Sequence, residues 1–324
     1  MAAAIQTIAM GGEIMGYLVL KGVSIANANA ISGITWGFPA ISHFLGFIHA
    51  LSRKAINSEH QLTLAGCGII CHQHQVHCYR NTPYEPYAFA LTRNPLTKEG
   101  KSAPIVEEGR MHLTVSLIIE CDGLNTASDQ TKAKQLNYLK QLAQQHKLAG
   151  GVITNIDDCY QLDPAQHKRE LRKLLPGFML ADASQCLADL NASIPNNTLQ
   201  NWLDFSAFKY VCEVNKNEEG EEQVSWQRAA KPFAGYLVPV QIGYKKIAPT
   251  LAAGQVANVR DTQSPVSFVE SVYSVAEWIG SPSRISNLSD IIWQYRYSDP
   301  FYVCHTTSVV ATQFMSSDDF DDDF

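Results

Sequence analysis

The sequence predicts a mixed α+β fold, namely a ferredoxin-like or RRM-like sheet with a protruding insertion and additional helices. Three observations support this fold class. A strand-like run is followed by a helical run; two strand-like runs then flank a long polar connection; and a second helical run precedes another strand. An order of strand, helix, paired strands, helix and strand is typical of that sheet. We expect the core to span residues 16–311, with the insertion near residues 80–110.

The first strand and the first helix are predicted from residue type and spacing. Tyr17–Ile25 is rich in aliphatic and β-branched residues, which strands favour. Pro39 suits the first turn of a helix, where no backbone donor is needed. After it, apolar residues recur at the 3.6-residue period of a helix, namely Ile41, Phe44, Leu45, Ile48 and Leu51.

A loop with two amides and two aromatic rings joins this strand to this helix. Loops at such junctions often carry function. Amide and ring side chains suit a ligand with polar edges and flat faces, and a nucleic-acid base is one such ligand. The candidate RNA-contacting residues of the loop are Asn27, Asn29, Trp36 and Phe38.

The middle of the chain is predicted to form strands around the insertion. Leu62–Cys78 indicates a strand pair, and Arg110–Glu120 alternates as a long strand. Arginine forks phosphate oxygens and asparagine reads base edges, although an arginine here could instead pair with Glu107 or Glu108. The candidate RNA contacts that flank the insertion are Arg93, Asn94, Arg110 and His112.

The rest of the chain is predicted to mix helices and strands. Thr131–Lys147 forms an amphipathic helix, and Gln166–Leu175 forms a basic helix that stops at Pro176. Phe268–Ile279 is also predicted as a helix. The remaining elements are short helices at Ala183–Leu190 and Thr198–Phe205, a hairpin from Tyr210–Val214 and Val224–Arg228, sheet elements at Val152–Thr154 and Tyr236–Val240, a helix or strand at Leu288–Tyr295, and a last strand at Val303–Val310.

Two helices carry further basic candidates for RNA contact. On the basic helix, Lys168 and Arg172 are four residues apart and share a face, as do Arg169 and Lys173. A merely solvated face is the alternative. Arg53, in the last turn of the first helix, completes the set of candidates.

The net charge of −6 is concentrated in two segments. The tail after Ser317 holds five aspartates, and the loop Asn215–Gln223 holds four glutamates against one lysine. Without these two segments the chain carries 22 acidic and 24 basic residues. The remainder can therefore hold a local basic groove, as a nucleic-acid partner requires.

The composition is typical of a globular chain in a reducing compartment. With 324 residues, 46% of them hydrophobic, the chain can bury a sizeable core. No apolar run approaches the ~20 residues that span a membrane, and no basic residue precedes Lys21, so neither a membrane nor a secretory signal is predicted. Eight scattered cysteines favour reduced thiols and a cytoplasmic location. Residues 1–15 are expected to be a flexible extension and residues 312–324 a flexible acidic tail.

Five sequence blocks, in order along nearly the whole chain, resemble one known family. They are VSIANANAIS with TWGFP and GFIHAL inside Gly16–Lys54, GIICH at 68–72, LTRNPL at 91–96 with IVEEGRMHLTVSL at 105–117, LLPGF at 174–178, and RDTQSPVSFVESVYSVAEWI at 260–279. Each block alone is weak, but five in sequence are specific. The chain resembles the crRNA 5′-handle-binding subunit of the type I-F CRISPR Csy surveillance complex, a member of the RAMP superfamily.

The resemblance implies a fold, a role and a set of partners. The core would be a RAMP-type RRM-like sheet, and the insertion near residues 80–110 would be its thumb. The chain would be a non-catalytic RNA-binding subunit with no cofactor, gripping the 5′ handle of crRNA. It would join the large Csy subunit to the first backbone Csy subunit and lie close to target DNA within the complex, without contact to a membrane.

A cluster of cysteines and histidines on the predicted strand pair raises the question of a metal site. On strand alternation, His72, His74 and Cys78 would share one face and Cys71 and His77 the other. Structural zinc sites usually have two ligand pairs with a spacer between them. Because one strand cannot wrap a tetrahedral ion alone, a half-buried strand is the expected arrangement and no metal is predicted.

Ribonuclease chemistry is the alternative function. A histidine with a pKa near the working pH could cleave RNA through its own 2′-hydroxyl without a metal, and some RAMP relatives are such nucleases. None of the ten histidines lies in a motif that identifies it as catalytic. The resemblance to the type I-F family implies that a separate subunit processes the RNA. A non-catalytic subunit is therefore favoured, with an endoribonuclease for precursor crRNA as the alternative.

Overall fold

The structure is a computed structural model that describes residues 16–92, 96–103, 106–124, 128–216, 222–259 and 261–306. The helices are α1 (Ile41–Ala55), α2 (Asp129–Gln144), α3 (His167–Arg172), α4 (Ser184–Ser193) and α5 (Thr198–Asp204). The strands are β1 (Gly16–Asn29), β2 (Ile31–Ser32), β3 (Thr35–Trp36), β4 (Thr63–Val76), β5 (Cys78–Tyr79), β6 (Ala88–Phe89), β7 (Leu91–Thr92), β8 (Val106–Glu107), β9 (Arg110–Asp122), β10 (Lys147–Leu148), β11 (Gly151–Leu162), β12 (Phe178–Asp182), β13 (Tyr210–Lys216), β14 (Glu222–Arg228), β15 (Leu237–Lys246), β16 (Val269–Ile279), β17 (Ile292–Ser298) and β18 (Phe301–Thr306).

One antiparallel sheet of ten strands organises the molecule. Its order is β10-β11-β1-β9-β4-β12-β16-β15-β18-β17, and β17 also pairs with β4. The strands β4, β12, β16, β15, β18 and β17 therefore close into a ring. The ring closes because β12 and β17 pair with successive stretches of the same edge of β4. Ile70 of β4 pairs with Met179 of β12, and Gly68 pairs with Ile292 of β17.

The first half of the chain builds one side of this sheet with two helices. Along the chain its long elements are β1, α1, β4, β9, α2 and β11, and its strands lie side by side in the order β11-β1-β9-β4. The apolar stripe of α1 is buried and packs with Leu18, Leu20 and Val23 of β1 and with Leu139 of α2. Burying each such side chain stabilises the fold by roughly 1.5–3 kcal/mol.

The opposite face of the same strands is covered at one end only. There Val19, Ile70 and Ile118 pack against Ile292 of β17 and Leu171 of α3 in a second buried cluster. Beyond these residues the face is open to solvent and its side chains become polar. The second half of the chain thus covers the sheet at one end and leaves the other end exposed.

His72 lies at the border between the covered and the open end. Its Nδ1 is 2.7 Å from the carbonyl oxygen of Pro176, and its Nε2 is 2.7 Å from Oγ of Ser116. A carbonyl can only accept, so Nδ1 carries the proton and donates to Pro176. The Ser116 hydroxyl then donates to Nε2, while its oxygen accepts from the backbone N–H of Gly22. These bonds tie the segment before β12 to the sheet.

Much of the sequence-based prediction is confirmed. The mixed α+β class is confirmed by the large antiparallel sheet and the five described helices. The helices predicted at Ile41–Leu51 and Thr131–Lys147 are α1 and α2, and the hairpin predicted around the acidic loop is β13 with β14. No helix within the described ranges is long and apolar enough to cross a membrane.

The helix predicted at Phe268–Ile279 is wrong, because this segment is strand β16. It pairs with β12 on one side and β15 on the other. Ser274, Val275 and Ala276 are buried in succession, because both faces of the strand are covered. A strand buried on both faces shows no polar–apolar alternation, and its apolar spacing can imitate a helix.

Two other predicted elements have different extents. The strand pair predicted at Leu62–Cys78 is one long strand, β4, followed by the short β5. The short strand predicted at Val152–Thr154 is the twelve-residue β11. The predicted flexible segments, residues 1–15 and 312–324, lie outside the described residues.

Candidate nucleic-acid interface

The open end of the sheet face forms a polar cleft. A hollow of about 550 Å³ runs across β11, β1, β9 and β4. A second hollow of about 300 Å³ adjoins it at Ala26 and reaches the base of the insertion between β4 and β9. Side chains that line the first hollow include Ser24, Gln73, Gln75, His112, Thr114 and Thr154. We call the two hollows together the cleft.

The pairing register explains why these side chains face the cleft. Ser24 of β1 pairs with Thr114 of β9, and His112 of β9 pairs with Gln75 of β4. Residues directly opposite each other on neighbouring strands point to the same face. The intervening residues, such as Ile25 and Leu113, point to the other face and belong to the core beneath α1 and α2.

A bulge in β1 places Asn27 at the corner of the cleft. The register shifts between Ile25 and Ala28, and Asn27 has a φ of 57°, which asparagine tolerates better than most residues. Its backbone N–H donates to Nδ1 of His112 at 3.4 Å. Gly151 lies against the bulge so closely that a Cβ there would come within 2.7 Å of the Ala26 carbonyl oxygen.

Arg110 contributes a cation to the cleft, and it is paired with Glu108. Its Nη2 and Nε donate to Oε2 of Glu108 at 2.7 and 2.9 Å, and its Nη1 donates to the carbonyl oxygen of Asn27 at 3.5 Å. Both side chains are about 30% exposed. The guanidinium is therefore accessible from the cleft, but a phosphate must compete with a carboxylate for it.

Two histidines stand beside this pair. The rings of His77 and His112 meet edge to face with their centroids 4.3 Å apart. Partial burial and the neighbouring His112 together lower the pKa of His77. The backbone N–H of His77 donates to the carbonyl oxygen of Arg110 at 2.8 Å, so the two histidines and the arginine form one local unit.

The predicted loop residues divide into an exposed and a packed set. Trp36 is 53% exposed, and its ring stands perpendicular to that of Phe89, near the insertion, with 5.4 Å between the centroids. Phe38 instead lies between Phe44 and Trp278, with centroid distances of 5.7 and 4.9 Å. The ring of Trp36 is therefore accessible to a stacking base, whereas that of Phe38 is engaged in the protein interior.

The Asn29 amide is used by its own loop. Its Nδ2 donates to the carbonyl oxygen of Ile31 at 2.7 Å, and its Oδ1 accepts from the backbone N–H of Ile31 at 3.1 Å. This closed turn fixes the path of the chain from β1 into the loop. RNA contact by Asn29 stays a prediction, and the side chain would have to share these bonds.

The other predicted contacts are spread over the molecule. Lys168 and Arg172 are exposed on α3, beyond the covered end of the same sheet face. Arg53 is exposed at the end of α1, on the opposite side of the sheet. Arg93 and Asn94 lie outside the described residues. The structure thus brings together Asn27, Arg110 and His112 from the predicted set.

The polar side chains of β4 and the threonines of the cleft were not predicted from the sequence as site residues. Gln73 and Gln75 alternate along β4, and His112 and Thr114 do so along β9. Such period-two polar positions on two strands indicate a common face. This alternation is visible in the sequence, but it indicates a shared binding face only once the two strands are known to be neighbours.

The predicted face assignment of the histidines is wrong, because β4 has a bulge between Cys71 and Gln73. His74 pairs with Leu113 and so faces the helix side, whereas His72 bonds Ser116 on the other face. The extra residue of a bulge shifts all later side chains to the opposite face. Among the described residues, no three His, Cys, Asp or Glu side chains are arranged to hold a metal ion.

Comparison with known proteins identifies the family. A family model described as "CRISPR-associated protein (Cas_Csy2)" matches residues 18–304. CRISPR-associated protein Csy2 of Pseudomonas aeruginosa (strain UCBPP-PA14) is 36% identical in an alignment that covers 89% of this chain and 96% of that relative. The residues matched by the family model include all five described helices and the residues that line the cleft. The chain therefore belongs to the Cas_Csy2 family of CRISPR-associated proteins.

Proposed function

We propose that this chain is a non-catalytic RNA-binding subunit of a type I-F CRISPR Csy complex. It grips the 5′ handle of crRNA and joins the large Csy subunit to the first backbone subunit, in the cytoplasm and close to target DNA. Membership of the Cas_Csy2 family supports the assignment to the complex. The observation that carries the RNA role is the polar cleft, with Arg110 at one end and amide, hydroxyl and imidazole groups along its floor.

The chemistry of the cleft fits single-stranded RNA. Its groups can donate and accept hydrogen bonds to base edges and 2′-hydroxyls, and one arginine can hold a phosphate. The order of β1, α1, β4, β9, α2 and β11, with strands arranged β11-β1-β9-β4, supports the ferredoxin-like, RAMP-type interpretation of this half. In such sheets the face opposite the helices is free to receive a strand of RNA.

The insertion between β4 and β9 is proposed as the thumb. Its described parts are two small ribbons, β5 with β6 and β7 with β8, and residues 80–88 are all exposed. Phe89 at its base contacts Trp36, so the insertion is anchored beside the second hollow. An RNA strand leaving the cleft would pass Trp36. If a base stacks on the indole ring, the substitution Trp36→Ala should weaken RNA binding by ~1–3 kcal/mol.

The test substitutes each member of the Arg110–Glu108 pair in turn, because the two substitutions should change RNA retention in opposite directions. The chain is co-expressed with the other Csy subunits and a crRNA, and RNA retention is measured against salt. Arg110→Ala should weaken retention and lower the salt slope by ~0.7, as for one phosphate contact on a single strand. Glu108→Gln should strengthen retention, because it removes the carboxylate that competes for the guanidinium.

The Arg284–Glu277 pair provides a matched control. Its Nη1 and Oε1 atoms are 2.7 Å apart, and neither residue lines the cleft. Arg284→Ala should remove one positive charge and one ion pair without changing the salt slope. Equal slopes for Arg110→Ala and Arg284→Ala, or weaker binding by Glu108→Gln, would exclude Arg110 from the RNA grip.

The second candidate function is a metal-independent endoribonuclease for precursor crRNA. The observation in its favour is the close pair His77 and His112 in the cleft, since one imidazole can act as base and another as acid. This function ranks second because Nδ1 of His112 already accepts a hydrogen bond from a backbone N–H, so that nitrogen is not free to take a proton from the RNA.

Incubation with repeat RNA in the presence of a chelator separates the two functions. A non-catalytic subunit leaves the RNA intact. Cleavage that is lost in both His77→Ala and His112→Ala, but kept in His49→Ala on the exposed face of α1, would establish the nuclease instead.

A further inference from the structure

The ribbon formed by β13 and β14 stands apart from the main sheet. Seven residue pairs join the two strands, from Tyr210 with Arg228 to Lys216 with Glu222. Within the described part of the chain, neither strand pairs with any other. An isolated two-stranded ribbon is at best marginally stable in water, so its exposed faces call for an explanation.

The register gives the ribbon one apolar face and one polar face. Directly opposite residues share a face, and one face carries Tyr210, Cys212, Val214, Val224 and Trp226, with Arg228 opposite Tyr210 at its base. The other face carries Val211, Glu213, Ser225 and Gln227, and Nε2 of Gln227 donates to Oε2 of Glu213 at 2.8 Å. Polar side chains on this face thus hydrogen-bond to each other, as is usual on a surface that faces solvent.

The apolar face is open to solvent along its whole described length. Trp226 is 67% exposed and Tyr210, Val214 and Val224 are each more than half exposed. At the base of the ribbon the surface continues to Phe208, which is 71% exposed with the guanidinium of Arg228 4.5 Å above its ring. A continuous apolar and aromatic surface of this kind marks a protein interface.

We propose that this apolar face docks onto another protein subunit, at an apolar strip bordered by lysine or arginine side chains. The inference rests on the proposed function, in which the chain is assembled with other Csy subunits. The charge at this part of the sequence specifies the partner, because residues 215–223, which include the connection between β13 and β14, carry four glutamates against one lysine. Those carboxylates repel the phosphates of RNA and DNA and attract basic side chains.

The ribbon offers a matched pair of tests. Val214 and Val224 lie opposite each other on the apolar face, and Val211 lies on the polar face of the same ribbon with almost the same exposure, 53% against 54% for Val214. The chain is co-expressed with crRNA and, in separate experiments, with the large and the backbone Csy subunit. Binding of each subunit is measured for wild type, V214S/V224S and V211S.

The expected result is selective loss of one protein partner. V214S/V224S should weaken one subunit contact at least about tenfold, whereas V211S should leave both contacts within about twofold of wild type. RNA retention and the midpoint of thermal unfolding should be unchanged in both variants. Wild-type binding by V214S/V224S to both subunits would overturn the proposal, as would self-association of this chain that only V214S/V224S abolishes.

The Cys212 thiol gives a second readout without substitution at the interface. It is the exposed member of the eight free cysteines and lies on the apolar face. Alkylation by N-ethylmaleimide should be fast in the isolated chain and at least about tenfold slower in the complex. Equal rates would overturn the docking proposal, while a wild-type chain that binds no Csy subunit and no crRNA would instead overturn the proposed function on which it rests.

Discussion

The two ends of one sheet face differ in chemistry although the same strands form both. At the covered end, Val19, Ile70 and Ile118 are buried beneath the second half of the chain. At the open end, Ser24 and Thr114 line the cleft. The change occurs within four to five residues along β1 and β9. The second half of the chain therefore decides, by how far it covers the sheet, which part of the face is left open for binding.

The largest difference between the two ends should be in stability. Ile118 and Thr114 lie on β9, four residues apart on the same face, but Ile118 is fully buried. Ile118→Ala should lower the free energy of unfolding by ~2–5 kcal/mol, because it removes buried surface and leaves a cavity. Thr114→Ala should cost less than about 1 kcal/mol. Chemical denaturation of both variants measures the contrast, and similar losses would mean that the two ends are packed alike.

The border itself should show an intermediate effect. His72→Ala removes the donor to the Pro176 carbonyl and the partner of the Ser116 hydroxyl. Leaving partly buried polar groups without partners costs ~1–3 kcal/mol, so the free energy of unfolding should fall by that amount. His49→Ala, on the surface of α1, is the control and should change stability by less than about 0.5 kcal/mol. Equal values for the two variants would show that His72 does not hold the halves together.

The covered end also contains a buried carboxyl group whose titration should be measurable. Oε2 of Glu120 accepts from the backbone N–H of Gly66 at 2.9 Å and from Nε2 of Gln294 at 2.6 Å. Burial raises the pKa of Glu120, and these hydrogen bonds oppose the rise only in part. The folded protein thus holds this proton more tightly than the unfolded chain does.

The sign of the pH dependence follows from that raised pKa. The contribution of Glu120 to stability is fully present below its unfolded pKa and is lost as pH rises through its folded pKa. Glu120→Gln cannot ionise and keeps an acceptor for Gly66. Its thermal unfolding midpoint should therefore exceed that of wild type at neutral pH and approach it in acid. A constant difference across the pH range would contradict the assignment.

The smallest effect on stability should come from the open end, where the effect on RNA is instead expected. Gln75 is exposed and lines the cleft. Gln75→Ala should change the free energy of unfolding by less than about 0.5 kcal/mol and weaken crRNA retention by ~0.5–1.5 kcal/mol, as for one lost hydrogen bond. Gln185→Ala on the exposed surface of α4 should leave both unchanged. Unaltered RNA retention for Gln75→Ala would place the RNA outside the first hollow.

The local elements and the family could be derived from the amino-acid sequence alone. The stripe of α1 and the hairpin of β13 and β14 were predictable, because helical spacing and strand alternation are set by neighbours within a few residues. The blocks of residues around Asn27 and Arg110 pointed to the family without any knowledge of the sheet. Three of the residues that meet in the cleft, Asn27, Arg110 and His112, were predicted from the types of side chain that bind RNA.

Features that depend on residues far apart in the chain became visible only in the folded structure. β16 is a strand because β12 and β15 flank it, and no local pattern reports that both its faces are covered. The bulge in β4 separates His72 from His74 because the register is set by β9. Arg110 faces Glu108 and Asn27 at once, and closure of β17 onto β4 fixes where the covered end stops. These outcomes follow from pairing and burial, which involve the whole chain, and so the position of the cleft could not be derived from spacing alone.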